Sequence, residues 1–485
     1  MKNKLLSIIL AVAILASLCS MMIVPVSAAT ASSLSTDSDG AYLIQSAKDM
    51  DTFQTEVKSG VFENADVVVK LTTDITLNTT YTYNGEKHGF WGTFDGQGHT
   101  IDGLTVSGKF AGLFGTPLPT TATTITIKNV AFTNSRSESA NAGDYSGLLF
   151  GQIQNTVTLN LNNIYVDTTM YTTFKYSGTK LLLNHGGLMG LAGLVTNIEN
   201  SVINVTTDVT EDSVFFASGI IAGRALAGYE FNISNSALYG DVKIGKGYTY
   251  GLWGINSGGK TELSATDHTG EYNNSIVDLT FNSTTDSAKE REIVGKLNTF
   301  TFFEGETAVA ADIYGLDAVA VDGFTKTVGH LVPTSLLKMF PEHCLDEADV
   351  TGGILEFEGY QTNNDNKMRL VATIADKDIK NYNSVGFEVV AVYGENVKST
   401  SFTSKTVYTS IGANTATGDT TISAESLIGA DGYIFAMIIG NLPADTPVTL
   451  QVKTFYTDIN DTQTDGSTTV FTVSQMPSGT VSGGK

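Results

Sequence analysis

The chain has 485 residues, 41% of them hydrophobic, and its 28 basic and 50 acidic side chains leave a formal net charge of −22. That length allows roughly two to four domains and at least one large core. So acidic a surface excludes nucleic acid and anionic membrane faces as partners, because no basic patch can neutralise phosphates.

The first 29 residues read as a secretory signal peptide. Lys2 and Lys4 precede an apolar run from Leu5 to Val24, and Val26-Ser27-Ala28 offers small residues for cleavage. No basic stop-transfer flank follows, so no membrane insertion is expected after cleavage. Loss of two lysines takes the charge from −22 to about −24. Of the two cysteines, Cys19 leaves with the leader. Cys344 remains without an intrachain partner, which suits an exported bacterial protein stabilised by burial alone.

A helix follows in "SAKDMDTFQTEVKSG", with Ser46 as N-cap, Asp49 three residues on, and Gly60 as the stop. Beyond residue 60 there is no long amphipathic helix, and Thr, Val, Ile, Asn and Gly dominate. The stretch "GTFDGQGHTIDGLTVSGKFAGLFG" (92–115) lacks the G-x-G-x-x-G spacing and opens no helix, so it reads as turn geometry and not as a phosphate loop. Aligning "TIDGLTV" with "TIKNVAF" places Gly103 in the position of Asn129.

From residue 112 two marks alternate. One is a glycine-bracketed apolar box: "GLFG" (112–115), "GLLFG" (147–151), "GLMG" (187–190), "GIIAG" (219–223) and "GLWG" (251–254). The other is an asparagine leading a strand: Asn129, Asn163, Asn200, Asn235 and Asn274, spaced by 34, 37, 35 and 39 residues. Strand, turn, strand, turn at about 35 residues suits one coil of a right-handed parallel β-helix over residues 30–300. The five asparagines are then expected to form a buried structural ladder, and the glycines to supply positive φ at the opposite corner. Trp253 aligns with Phe114 and Met189 as a core residue.

The boxes "GLFG", "GLMG" and "GLWG", together with "AYLIQSAKDMDTFQ…LTTDITLN…GTFDGQGHTIDGL", resemble the GLUG-repeat proteins of bacterial surfaces. The resemblance covers roughly residues 40–300. It implies a parallel β-helix, an extracellular or cell-surface location and frequent adhesion or glycan contact. It carries no catalytic residues.

Residues 301–345 form a less regular connector with a short helix at "PTSLLKMF", and Cys344 in "PEHC" is expected to be buried and not reactive. From 346 to 476, about seven strands separated by turn signals indicate a β-sandwich. "RLVATI…YNSVGFEVV…GYIFAMIIGNLP…LQVKTFYT" resembles an immunoglobulin-like module of Firmicutes surface proteins. The tail, 477–485, reads as disordered.

Candidate chemistry is sparse. Asp167 and Asp208 lie one repeat apart and are eligible as an inverting acid pair, which needs a separation of about 6.5–9.5 Å on adjacent coils. A lyase needs a Lys or Arg base, and Arg224 directly follows a glycine box, but no Asp recurs beside it at coil spacing and solvated charge is the simpler reading. His88, His99 and His185 form no zinc motif, and "DINDTQTDG" has Gln463 where a calcium loop needs glycine, so a hairpin is expected there. No cofactor is expected; Ca²⁺, which a lyase would use, has no motif. Tyr165, Tyr171, Tyr176, Tyr229, Tyr239, Tyr248 and Tyr250 are candidates for stacking on sugars along a flat coil face. The reading is a secreted, non-catalytic, monomeric protein that binds polysaccharide or another surface component. A carbohydrate-active enzyme and a structural spacer are the alternatives.

Overall fold

The computed structural model describes residues 32–139, 144–172, 184–209, 217–225 and 229–244, and shorter runs between 248 and 473. The leader, Tyr176, Tyr250, the segment "KTVYTSI" (405–411) and the tail lie outside the described residues. The chain is all-β, with a large parallel sheet arranged as a β-helix-like stack of coils.

The helix α1 (Ala47–Lys58) forms as its caps dictate. Ser46 Oγ accepts from the Asp49 N–H, Asp49 reaches back to the Gln45 N–H, and Gly60 ends the helix at φ +80°. Its buried face covers the first coil. Phe53 meets Phe62, Phe90, Phe94 and Phe114 at ring distances of 5.2, 5.9, 5.8 and 6.1 Å. The cap is therefore an aromatic plug, offset and edge-on as ring quadrupoles prefer.

The principal strands of the stack are β1 (Thr93–Asp102), β2 (Thr123–Ser139), β3 (Val157–Thr172), β4 (Val195–Glu199), β5 (Val202–Val209), β6 (Tyr229–Ser234), β7 (Ala237–Ile244) and β8 (Ser275–Ser283). All pair in parallel, in the order β1-β2-β3, then β3-β4-β6 before the bend of each coil and β3-β5-β7-β8 after it. The bend is the asparagine. Asn129, Asn163, Asn200, Asn235 and Asn274 have φ of 54°, 53°, 51°, 46° and 47°, a left-handed conformation that asparagine tolerates better than other L-residues with side chains. Their amides link coils: Asn163 donates to Asn129 at 3.1 Å, and Asn274 to Asn235 at 2.9 Å. They are half-buried at the corner, not interior.

The interior polar row lies one residue further on. Ser201, Ser236 and Ser275 are fully buried. Each hydroxyl donates two residues back, to the carbonyl of Glu199, Ser234 or Asn273. Those of Ser201 and Ser236 also accept the Ile164 and Ser201 N–H groups of the preceding coil. Gly103 does not occupy the Asn129 position. Ile101 pairs with Phe132, so Gly103 falls opposite Asn134, and the bend equivalent to Asn129 is made by Gln97 and Gly98. This coil turns twice, at Asn129 and again at Asn134, which a one-bend alignment misses.

The glycine boxes stack coil on coil. Leu113 and Phe114 donate to the Leu148 and Leu149 carbonyls, Leu148 and Leu149 to those of Gly187 and Leu188, and Ile221 to that of Leu252. Among the described bracket glycines only Gly115 has positive φ. Gly112, Gly147, Gly151, Gly187, Gly190 and Gly223 are glycine for lack of room: a Cβ on Gly147 would lie 2.3 Å from the Met189 Cα. Trp253 pairs with Ala222, in a row with Met189 and Phe150, and the Phe114 ring lies 5.4 Å from that of Phe150.

After the stack, α2 (Thr334–Met339) and α3 (Pro341–Cys344) lie against its outward face. In register there run Ala131, Tyr165, Val202, Ala237 and Ile276, one per coil. Leu331, Val332, Leu336, Leu337 and Phe340 cover this stripe. Each coil thus has two consecutive apolar residues starting two positions after its asparagine, the first facing the connector and the second facing in.

The C-terminal strands are β9 (Leu355–Asn363), β10 (Lys367–Ile374), β11 (Tyr382–Tyr393), β12 (Asn396–Ser404), β13 (Asn414–Thr417), β14 (Ser423–Gly429), β15 (Gly432–Ile439), β16 (Val448–Asp458) and β17 (Gln463–Val473). They form two antiparallel sheets, β9-β10-β15-β14 and β13-β12-β11-β16-β17, and β9 contacts both β16 and β17. In β11, Phe387, Val389 and Ala391 are buried on one face, and Val390 and Val392 on the other, against the connector. That double burial accounts for the unbroken apolar run "VVAV". β16 and β17 pair as a hairpin, with Thr457 opposite Gln463.

Candidate binding faces of the coil stack

Before each bend, the outward residues of successive coils align into a flat polar face. Thr93, Thr126, Asn160, Asn197 and Asn232 occupy one row, one per coil. Asn197 Nδ2 donates to Asn160 Oδ1 at 2.8 Å, Asn232 Nδ2 to Asn197 Oδ1 at 2.9 Å, and the Glu271 N–H to Asn232 Oδ1 at 3.1 Å. All five side chains are half-exposed. Asn160 spends one acceptor on its neighbour and Asn197 one donor and one acceptor, while Asn232 also donates to Glu230 Oε1 at 2.5 Å; each amide keeps further hydrogen-bonding capacity for a ligand. Period-two alternation in "TLNLN" and "VTNIE" carries this row, yet the sequence reading singled out the bend asparagines and not these.

The next row is charged or amide-bearing. Lys128 Nζ pairs with Asp95 at 3.2 Å. Burial opposes ionisation of Asp95, but hydrogen bonds from Asn129, the Gln97 N–H and Lys128 outweigh it and hold the carboxyl below its usual range.

After the bend, the structure separates the candidate catalytic residues. Asp167 faces Asn204, whose amide donates to it at 3.2 Å. Asp208 faces Tyr171, four residues further along the strand, so the two aspartates stand roughly 13 Å apart along it at about 3.3 Å per residue. That exceeds the inverting-pair window. Asp208 instead meets Arg136 at 3.2 Å; Arg136 also binds Glu138 at 2.8 Å and lies 3.8 Å from the Tyr171 ring centroid. Asp208 is thus one of two carboxylates held by Arg136 in a surface cluster. Arg224 lies on a different sheet, paired with Leu191 and Ile255, its Nη1 3.4 Å from the Tyr145 hydroxyl.

The tyrosines do not form one exposed row. Tyr229 is 1% exposed and packs on Phe231 at 5.0 Å, inside the coil core. Tyr239 is buried under the connector, its hydroxyl donating to the Leu331 carbonyl at 2.6 Å. Tyr165 is half-buried against His343, with ring centroids 5.5 Å apart. Tyr171 is half-exposed but carries Arg136. Tyr248 pairs through its backbone with Ala217. Apolar contact thus commits Tyr229 to the core and Tyr239 and Tyr165 to the connector.

Among the described residues no group of three or more His, Cys, Asp or Glu is placed to hold a metal ion. Cys344 is buried and unbridged. No helix of the described residues is long and apolar enough to cross a membrane. No protein-family description, curated protein or solved structure matches the chain.

Proposed function

We propose that this is a secreted or cell-surface protein that binds neutral polysaccharide without cleaving it, using the polar face built on β1, β2, β3, β4 and β6. The carrying observation is the row Thr93, Thr126, Asn160, Asn197 and Asn232, an uncharged hydrogen-bonding group on each of five successive coils. Coils stack at about 4.8 Å, close to the rise of one extended β-linked sugar, so a chain lying along the coil axis meets one such group per residue. Each contact is weak, and affinity accumulates through repetition. The acidic net charge of −22 favours neutral over uronic polymers. The separation of Asp167 from Asp208 supports binding over inverting hydrolysis.

In this reading the coils are a right-handed β-helix of the GLUG-repeat kind, the C-terminal sheets are an immunoglobulin-like sandwich, and the leader directs export. The test is incubation of the mature protein with xylan, mannan, pectin and mucin, scoring retention and released sugar separately. Retention on xylan or mannan without product supports the proposal. Product that disappears in Asp167→Asn or Arg224→Ala would make the protein an enzyme.

A further inference from the structure

The sequence contains one Asn-Gly step, Asn84-Gly85, at the end of the short strand Thr80–Asn84. That strand is an edge: it pairs with Thr105–Lys109 alone, and Asn84 lies opposite Lys109. We propose that Asn84 is a site of spontaneous covalent modification. The Gly85 backbone nitrogen closes on the Asn84 side chain, and the asparagine becomes a mixture of aspartate and isoaspartate.

The bonds balance with water as the only co-reactant. Gly85 N gives its proton to solvent and attacks Asn84 Cγ. The new C–N bond completes a five-membered imide as the Cγ–Nδ2 bond breaks and ammonia leaves. Water then adds to one of the two imide carbonyls. Opening at the side-chain carbonyl gives aspartate; opening at the main-chain carbonyl gives isoaspartate, with an extra methylene in the backbone.

The fold leaves this step open. Asn84 is exposed, and its carboxamide makes no hydrogen bond among the described residues. The Gly85 N–H also meets no backbone acceptor among them, although a main-chain donor is ordinarily paired. Gly85 has φ +100° and no Cβ to shield its nitrogen. Lys109 lies alongside, its Cδ 3.5 Å from where a Gly85 Cβ would sit. The Lys109 and Lys87 ammoniums both lie over the Phe110 ring, 5.4 and 6.0 Å from its centroid. These cations favour the amide anion and the oxyanion that follows it. Glu86, the adjacent carboxylate, is engaged by the Asn84 N–H at 2.5 Å.

Other asparagines lack this combination. Asn64 precedes Ala65 and its Oδ1 accepts the Asp66 N–H at 3.0 Å, while Asn134 precedes Ser135 and donates to Asp102 at 2.7 Å. The bend asparagines are tied between coils, as Asn163 is to Asn129. In each case the side chain is held by a partner, and the nitrogen that would attack belongs to a residue with a side chain.

This inference is independent of the polysaccharide reading. The experiment ages the folded mature protein in mildly alkaline buffer, with urea-unfolded protein alongside. Peptides are mapped by mass spectrometry, with electron-transfer fragmentation to tell isoaspartate from aspartate. Amide loss should be faster at Asn84 than at any other asparagine, with isoaspartate the larger product and a rate proportional to hydroxide. In folded protein Lys109→Gln should slow the reaction and Lys109→Arg restore it, and neither should matter in urea. Asn84→Gln, which would need a six-membered ring, should stay unmodified. Reaction at Asn84 only in the unfolded chain, aspartate without isoaspartate, or a folded rate unchanged in Lys109→Gln overturns the proposal.

Discussion

Replacing Gly147 by alanine should be among the most damaging single-methyl changes in the chain. The added Cβ would meet the Met189 Cα at 2.3 Å, the Met189 N at 2.4 Å and the Leu188 carbonyl carbon at 2.6 Å. All three are backbone of the next coil, so no side chain can swing aside. Relief requires the two coils to part by about 1 Å, since carbon contacts are optimal near 3.5–4.0 Å. Parting stretches three bonds that hold the boxes together, Leu148 N to Gly187 O, Leu149 N to Leu188 O and Phe150 N to Leu188 O. Overpacking costs about 1–3 kcal/mol, and each weakened bond adds a fraction of about 1 kcal/mol, so a loss on the order of 3–5 kcal/mol is expected. The informative control is Gly40→Ala. Gly40 has φ +83° with nothing within 4 Å of the added Cβ, so only the left-handed backbone opposes it, at a cost of about 1 kcal/mol. Urea unfolding followed by circular dichroism compares the two. If Gly147→Ala costs no more than Gly40→Ala, then backbone conformation, and not coil contact, is what the boxes require.

His185 is fully buried with its Nε2 2.7 Å from the Ser137 hydroxyl, and burial pushes its pKa down to about 3. Because the folded pKa lies below the unfolded value of about 6.5, the unfolded chain binds the proton first. The contribution is therefore intact above about pH 6.5 and falls by about 2 kcal/mol between pH 7 and pH 5. His185→Gln should flatten that part of the stability–pH curve, and an unchanged slope would show that His185 does not carry it. Asn200 sits at φ 51°, so Asn200→Gly should be tolerated, whereas Asn200→Val should lose about 1–2 kcal/mol; equal melting temperatures would refute a backbone role. Cys344 is buried and unbridged, so reductant should leave the melting temperature unchanged and thiol reagent should react only after unfolding.

Much of the coil stack is legible in the chain because its demands are local and recur. A left-handed corner wants Asn or Gly, and a coil crossing at backbone contact wants Gly, so both marks repeat with each turn. Their causes are less legible than their positions. A glycine needed for room and one needed for positive φ look alike in sequence, and only the Met189 backbone beside Gly147 tells them apart. Gly103 was misplaced because "TIDGLTV" and "TIKNVAF" share an apolar pattern while their coils bend at different points. The burial of Tyr239 is illegible for a different reason. Tyr239 is covered by Leu331, 92 residues later, and such a contact leaves no periodic trace. The apolar residue that follows each bend, Ala131, Val202, Ala237 or Ile276, was the available sign that this face has a cover.

The polar row is tested most directly by measuring affinity against oligosaccharide length, by calorimetry, with xylo- and manno-oligosaccharides from two to six residues. The variant is Asn160→Ala/Asn197→Ala/Asn232→Ala, which removes the three linked amides and leaves the buried side chains of β3, β4 and β6 in place. The account predicts that affinity for the unaltered protein rises with each added sugar, that the rise is abolished in the triple variant, and that no sugar is released. Affinity independent of length, or a length dependence that survives in the triple variant, would contradict it.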